Sequence, residues 1–198
     1  KRKEEGHMQD KKHDKYIQMT TQPVEKLVCR LAGPTIISML VTALYNTADT
    51  YFVGQVGTEA TAGVGLIFPI MAIIQAFGFF FGQGSGNFIS RSLGAQCIGE
   101  AETMATTGNL CALLMGCLIT AVGLGGREVI LKLLGARPET VSEATIASAR
   151  DYLSFILCGA PFMCMSFVLN NQLRYQGNSF FSMIGLVSGA VLNVALDP

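Results

Sequence analysis

Residues 60–90 read ATAGVGLIFPIMAIIQAFGFFFGQGSGNFIS, a stretch without one charged side chain. Such a run is a membrane helix rather than a strand, because barrel strands are shorter and alternate in polarity. At about 1.5 Å per residue it would reach roughly 45 Å, against an apolar bilayer thickness of roughly 30 Å. Its end, Gly82-Gln83-Gly84-Ser85-Gly86-Asn87, is small and polar. That end is expected to leave the hydrocarbon or to pack closely on another helix. Its glycine spacing departs from G-x-G-x-x-G and no βαβ pattern surrounds it, so it is not a nucleotide-binding loop.

Working outward, charges bound four further apolar runs: Arg30 to Asp49, Glu102 to Arg127, Asp151 to Arg174, and Arg174 to Asp197. Each has the roughly 18 residues that a crossing needs. The sequence therefore predicts an all-α polytopic membrane protein, with spans at about 31–53, 60–88, 103–125, 152–172 and 178–198. Composition agrees. The chain has 198 residues, 50% hydrophobic and 14% charged, where a soluble domain carries about a quarter charged. Mean hydropathy is +0.42. Net charge is zero, so nothing suggests a nucleic-acid partner.

Residues 1–25 are polar and charge-dense, and are read as a disordered cytosolic tail. No short apolar core with a cleavage site follows their basic end, so they are not a secretory signal. Residues 26–198 are read as an incomplete amino-terminal transmembrane bundle. Between the third and fourth spans, Val129, Ile130, Leu133 and Leu134 follow helical spacing with Glu128 and Lys132 among them. That suits a short interfacial helix, ended by Pro138. Lysine and arginine in the tail put the N-terminus in the cytosol. The six cysteines form no CxxC pair and are expected as small buried residues in helices. His7 and His13 sit in the tail, and no metal-ligand cluster is visible.

Two carboxylates could carry chemistry. Asp49 follows Tyr45, Asn46 and Thr47 near the end of the first run, and Asp197 follows Asn193 near the end of the fifth. A carboxylate at membrane depth costs several kcal/mol unless it is paired, protonated or facing water. No lysine or arginine stands within a turn or two of either along the sequence. The acids therefore bind a proton or a cation, find a partner on another helix, or sit at headgroup level as end caps. Asn46 and Asp49 are three apart and Asn193 and Asp197 four apart, so each pair shares a helix face. Gly185, Gly189, Asn193 and Asp197 form a slowly drifting stripe, whose glycines would let a neighbouring helix approach. Amide carbonyls and carboxylates are hard oxygen ligands suited to Na⁺, and desolvated acids also take up protons near neutral pH. The Tyr-Asp and Gly-x-Gly-Asp motifs of an intramembrane aspartyl protease are missing, and the chain is read as a non-enzyme. Pro34, Pro69 and Pro161 fall inside apolar runs and permit kinks. The Asn170-Asn171-Gln172 cluster is read as the cytosolic exit of the fourth span.

These residues together resemble the multidrug and toxic compound extrusion (MATE) transporters of the bacterial kind. The resemblance rests on Pro34, on Leu44-Tyr45-Asn46-Thr47-Ala48-Asp49-Thr50-Tyr51-Phe52-Val53-Gly54, and on the glycine-rich segment through Ser90-Arg91-Ser92-Leu93-Gly94. Arg174-Tyr175-Gln176-Gly177 and Asn193-Val194-Ala195-Leu196-Asp197-Pro198 complete it. It covers about residues 26–198. It implies twelve helices in two pseudo-symmetric bundles of six, working by alternating access, of which this chain would hold five helices of the first bundle. The family's coupling site then maps to Asp49, Asn193 and Asp197, with H⁺ or Na⁺ as the coupling ion and no further cofactor. Tyr45 and Asn46 would line or support that site, and Pro34 would kink the first helix. The implied activity is antiport of small organic cations across a bacterial inner membrane, with the remaining helices of a longer chain as partners. The chain's end at Asp197-Pro198, where the family's fifth helix should still be running, reads as a cut. A lipid-linked oligosaccharide flippase would handle anionic lipids and call for basic residues within the spans, where acids and amides stand instead. A non-transporting scaffold is the reading from another class.

Overall fold

The computed structural model describes Ile17 and residues 21–196, without the side chains of Val56, Asn193, Val194 and Leu196. The expected tail thus lies mostly outside the described residues, as does Asp197. Among the described residues six helices follow in order. They are α1 (Val24–Val56), α2 (Thr58–Gly94), α3 (Ile98–Gly125), α4 (Arg127–Leu133), α5 (Glu143–Tyr175) and α6 (Ser179–Leu196).

The protein is an all-helical polytopic membrane protein. Four helices, α1, α2, α3 and α5, are long and apolar enough to cross a bilayer. The fifth expected span is α6, whose apolar part, Ser179–Leu192, is shorter. All three internal prolines lie within unbroken helices. Only Gly57 separates α1 from α2, at φ +147°. Glycine alone occupies that backbone region readily, so one residue reverses the chain. Thr61 fastens the turn, its hydroxyl donating to the Gly57 carbonyl at 3.0 Å.

The interior belongs to α2, α3 and α5. Along α5, Thr145, Ala149, Leu153, Leu157, Ala160, Cys164, Val168 and Gln172 are buried. Their spacing of three and four residues keeps them on one stripe. Opposite them α2 buries Gly78, Gly82 and Gly86. A Cβ at Gly78 would meet Phe167, one at Gly82 would meet Asn171, and one at Gly86 would meet the Tyr175 ring. The glycine-rich end of α2 is therefore a packing surface, the second of the two expected outcomes. Gly116 of α3 lies against the backbone of Pro161 in the same manner. In lipid, where apolar burial gives no drive between helices, such close approach supplies the dispersion contact that holds a bundle.

The trio's core has three layers. One end holds Ile67, Leu131, Ala136, Ala149, Leu153 and Leu157. The middle holds Ile74, Ala112, Ala160, Cys164 and Val168. The end nearest the α5 C-terminus is polar. There Gln172 Nε2 donates to Ser85 Oγ at 3.0 Å and to the Ala105 carbonyl at 3.2 Å. Its Oε1 accepts from Asn109 Nδ2 at 3.0 Å. The Asn170-Asn171-Gln172 cluster is thus more than a span exit, since Gln172 ties α5 to both α2 and α3.

Three further expectations are adjusted. Helix α5 starts at Glu143, well before residue 152, because Ser142 caps it by accepting from the Thr145 amide at 3.2 Å. The polar first turns protrude beyond the apolar run and so escape a hydropathy reading. The interfacial helix is the short α4, ended by Gly135 at φ +93°. Its Glu128 accepts from Arg150 at 3.0 Å and faces Arg127 at 3.7 Å, so one acid offsets two of the basic residues on that side. Of the six cysteines, only Cys164 is buried, while Cys29, Cys97, Cys117 and Cys158 are exposed. Outer faces of membrane helices are apolar too, so a cysteine there carries no burial information.

Candidate functional site

The site builds on α1, which packs chiefly on α6 rather than on its sequence neighbour α2. Residues more than a hundred apart in sequence are thereby juxtaposed, and one of the two helices carries Asp49. Within α1, Ser38 is buried, and Tyr45 and Asp49 are half-buried on the same side. Hydroxyls along this helix fold back on the backbone. Ser38 Oγ donates to the Pro34 carbonyl at 2.8 Å and Thr42 Oγ1 to the Ser38 carbonyl at 2.8 Å. Such local bonds satisfy polar groups without a partner helix.

Asp49 lies within electrostatic range of two phenols. One is Tyr45, one turn earlier on α1. The other is Tyr152, on α5. The Tyr152 hydroxyl also contacts Met71 Sδ of α2 at 3.6 Å. Tyr152 thus contacts α2 from α5 and stands within electrostatic range of Asp49. Sequence reasoning missed it, because a tyrosine next to Asp151 at the start of an apolar run reads as an interface anchor.

The structure separates Asn46 from this cluster. It is exposed and lines a shallow hollow of about 470 Å³ with Thr47, Thr50 and Tyr51. Sharing a helix face at spacing three does not give Asn46 and Asp49 the same surroundings, since α1 turns only part of that face inward. Asn193 lies in α6, but its side chain is outside the described residues, as is Asp197. Gly185 and Gly189 are exposed, with open space where a Cβ would stand. No described helix uses the approach that the stripe offers, which departs from the expected contact. Pro34 is half-buried in α1 and stands one turn before Ser38. Among the described residues no group of three or more metal-ligating side chains gathers.

Comparison with known proteins places this arrangement. The family described as MatE matches residues 34–198. "Multidrug export protein MepA" of Staphylococcus aureus (strain MRSA252) is 30% identical over 177 residues, covering 89% of this chain and 38% of that protein. Its counterpart in Staphylococcus saprophyticus is 32% identical over 175 residues, covering 88% and 38%. Among solved structures, a MOP superfamily transporter from Pyrococcus furiosus superposes with a TM-score of 0.84 at 31% identity, over 92% of this chain and 39% of that one. The outward-facing conformation of a multidrug resistance MATE family transporter gives the same values. The chain thus spans somewhat over a third of the length of the relatives it matches.

Proposed function

Because the chain belongs to the MatE family of multidrug efflux transporters, we propose that it forms the ion-coupling part of a secondary antiporter. H⁺ or Na⁺ enters from the outer side and binds Asp49 together with Asn193 and Asp197. Cationic organic compounds leave in exchange, by alternating access. Residues 26–198 then form most of one lobe, with the N-terminus in the cytosol of a bacterial cell. The ion is the only cofactor in this scheme.

One observation carries the reading. Asp49 sits half-buried on the α1 side that bears buried Ser38, within electrostatic range of phenols on α1 and α5. An acid so placed is a poor end cap and a good switch. Charged, it calls for water or a counter-ion, and neutralised by a proton or Na⁺ it tolerates closer packing. The charge change thus biases how α1 lies against α6 and α2, and the movement of that helix is what an exported cation would sense.

Drug uptake into everted membrane vesicles that carry the full-length protein, which reads export from the cytosolic face, tests the proposal. Asp49→Asn is expected to abolish efflux driven by an imposed H⁺ or Na⁺ gradient, with expression and thermal stability unchanged. Efflux at the wild-type rate would remove Asp49 from coupling. Imposing the two gradients separately identifies the ion.

A further inference from the structure

The corner between α5 and α6 holds a cation that the coupling reaction does not use. Arg174, in the last turn of α5, is half-buried. Its Nε donates to Ser182 Oγ at 3.1 Å. That hydroxyl donates in turn to Asn170 Oδ1 at 2.9 Å, while Asn170 Nδ2 donates to the Ser182 carbonyl at 3.3 Å. Ser182 is 1% exposed. The guanidinium is therefore fixed along its Nε edge by a buried relay, and its terminal nitrogens are the remaining donors. Among the described residues its guanidinium has no carboxylate within ion-pair distance; the ion pairs there all converge on Glu128. Phe180 and Phe181, the two residues before Ser182 in the first turn of α6, are 56% and 64% exposed. Their rings meet edge to face at 6.1 Å.

We propose that this corner binds an anionic phospholipid, with Arg174 on the phosphodiester and Phe180 and Phe181 against the glycerol and acyl region. Three features support it. A planar guanidinium presents paired donors that match phosphate oxygens. Aromatic rings prefer the interfacial zone where headgroup meets hydrocarbon. Counting crossings, the end of α5 returns to the membrane face on which α1 begins, and Arg174 stands in its last turn, between the apolar runs of α5 and α6. A free phosphate would satisfy the guanidinium and leave the aromatic pair unexplained, so the lipid accounts for both.

Native mass spectrometry of the purified protein in detergent, titrated with dioleoyl-phosphatidylglycerol or dioleoyl-phosphatidylcholine, tests this independently of transport. The wild type is expected to retain the anionic lipid about fivefold better, the size of one surface arginine's attraction. Arg174→Gln is expected to lose most of that preference, and Arg91→Gln, an exposed arginine at the same membrane face, to keep it. Equal retention of both lipids, an unchanged preference in Arg174→Gln, or an equal loss in Arg91→Gln would each overturn the site. Displacement of the lipid by inorganic phosphate at similar concentration would assign the fork to a free anion and also overturn it. Should Arg174→Gln not fold, Arg174→Lys replaces it. A preference at least halved supports the guanidinium fork, and an unchanged one rejects it.

Discussion

Helices α1 and α5 have the same length, 33 residues each, and opposite surroundings. Helix α5 buries a residue at nearly every turn from Thr145 to Gln172. Among the described side chains of α1, Ser38 alone is buried. One helix is the axis of a packed trio, and the other lies beside that trio, mainly on α6. The difference assigns separate tasks. Interlocked glycine and aromatic contacts with satisfied interhelix hydrogen bonds make a rigid body. Helix α1 makes few such contacts within this chain, and it is the helix that bears Asp49. The proposed coupling calls for both, since an ion can move an element only against something that stays still.

The largest expected effect comes from breaking the rigid half. Gly86→Leu would drive a branched side chain into the Tyr175 ring, which already occupies the position of a Cβ. Overpacking of this kind costs about 3 kcal/mol, and the backbone of α2 cannot retreat without losing its other glycine contacts. Thermal unfolding in detergent is expected to show a drop of several degrees or a loss of folded yield. A similar substitution at Gly185, where the Cβ direction is open, is expected to leave stability nearly unchanged. Equal destabilisation at the two sites would dissolve the distinction between the two regions.

The next effect lies on the bridge between them. Tyr152→Phe removes the hydroxyl that contacts Met71 Sδ and keeps the ring that packs on the core. If Tyr152 links Asp49 to the trio, efflux should fall about tenfold, equivalent to roughly 1.4 kcal/mol of lost coupling, with the unfolding temperature unchanged. A stability loss with normal efflux would make the tyrosine a packing residue alone.

Much of this organisation was legible in the sequence. Charges at Arg30, Asp49, Arg91, Arg127, Asp151 and Arg174 bound the apolar runs inside the helices because ions are excluded from hydrocarbon, so the existence of the long helices follows from one physical rule while their ends do not. The polar beginning of α5 was not legible, because helix outside the bilayer obeys capping chemistry at Ser142 instead of hydropathy. The burial of Gly82 and Gly86 was half legible, since small residues announce close approach without saying to what. Tyr152 and Gln172 were missed for one shared reason. Each acts on residues some tens of positions or more away in sequence, and only tertiary packing brings Asp49, Ser85 and Asn109 to them.

The smallest effect tests the polar layer itself. Gln172→Leu removes bonds to Ser85, Ala105 and Asn109 together, which taken as independent hydrogen bonds would suggest a severe loss. The neighbours, however, keep other acceptors. Ser85 Oγ still donates to the Phe81 carbonyl at 2.7 Å, and Asn109 Nδ2 to the Ala105 carbonyl at 2.9 Å. Leucine also fills most of the glutamine's volume. The expected cost is therefore about 1 kcal/mol, in the range measured for interhelix hydrogen bonds in membranes, with efflux retained. A loss approaching that of Gly86→Leu would mean that the amide layer, more than the glycine contacts, keeps the trio rigid. A stability unchanged from wild type would mean that the layer only satisfies groups already buried by the packing of α2, α3 and α5.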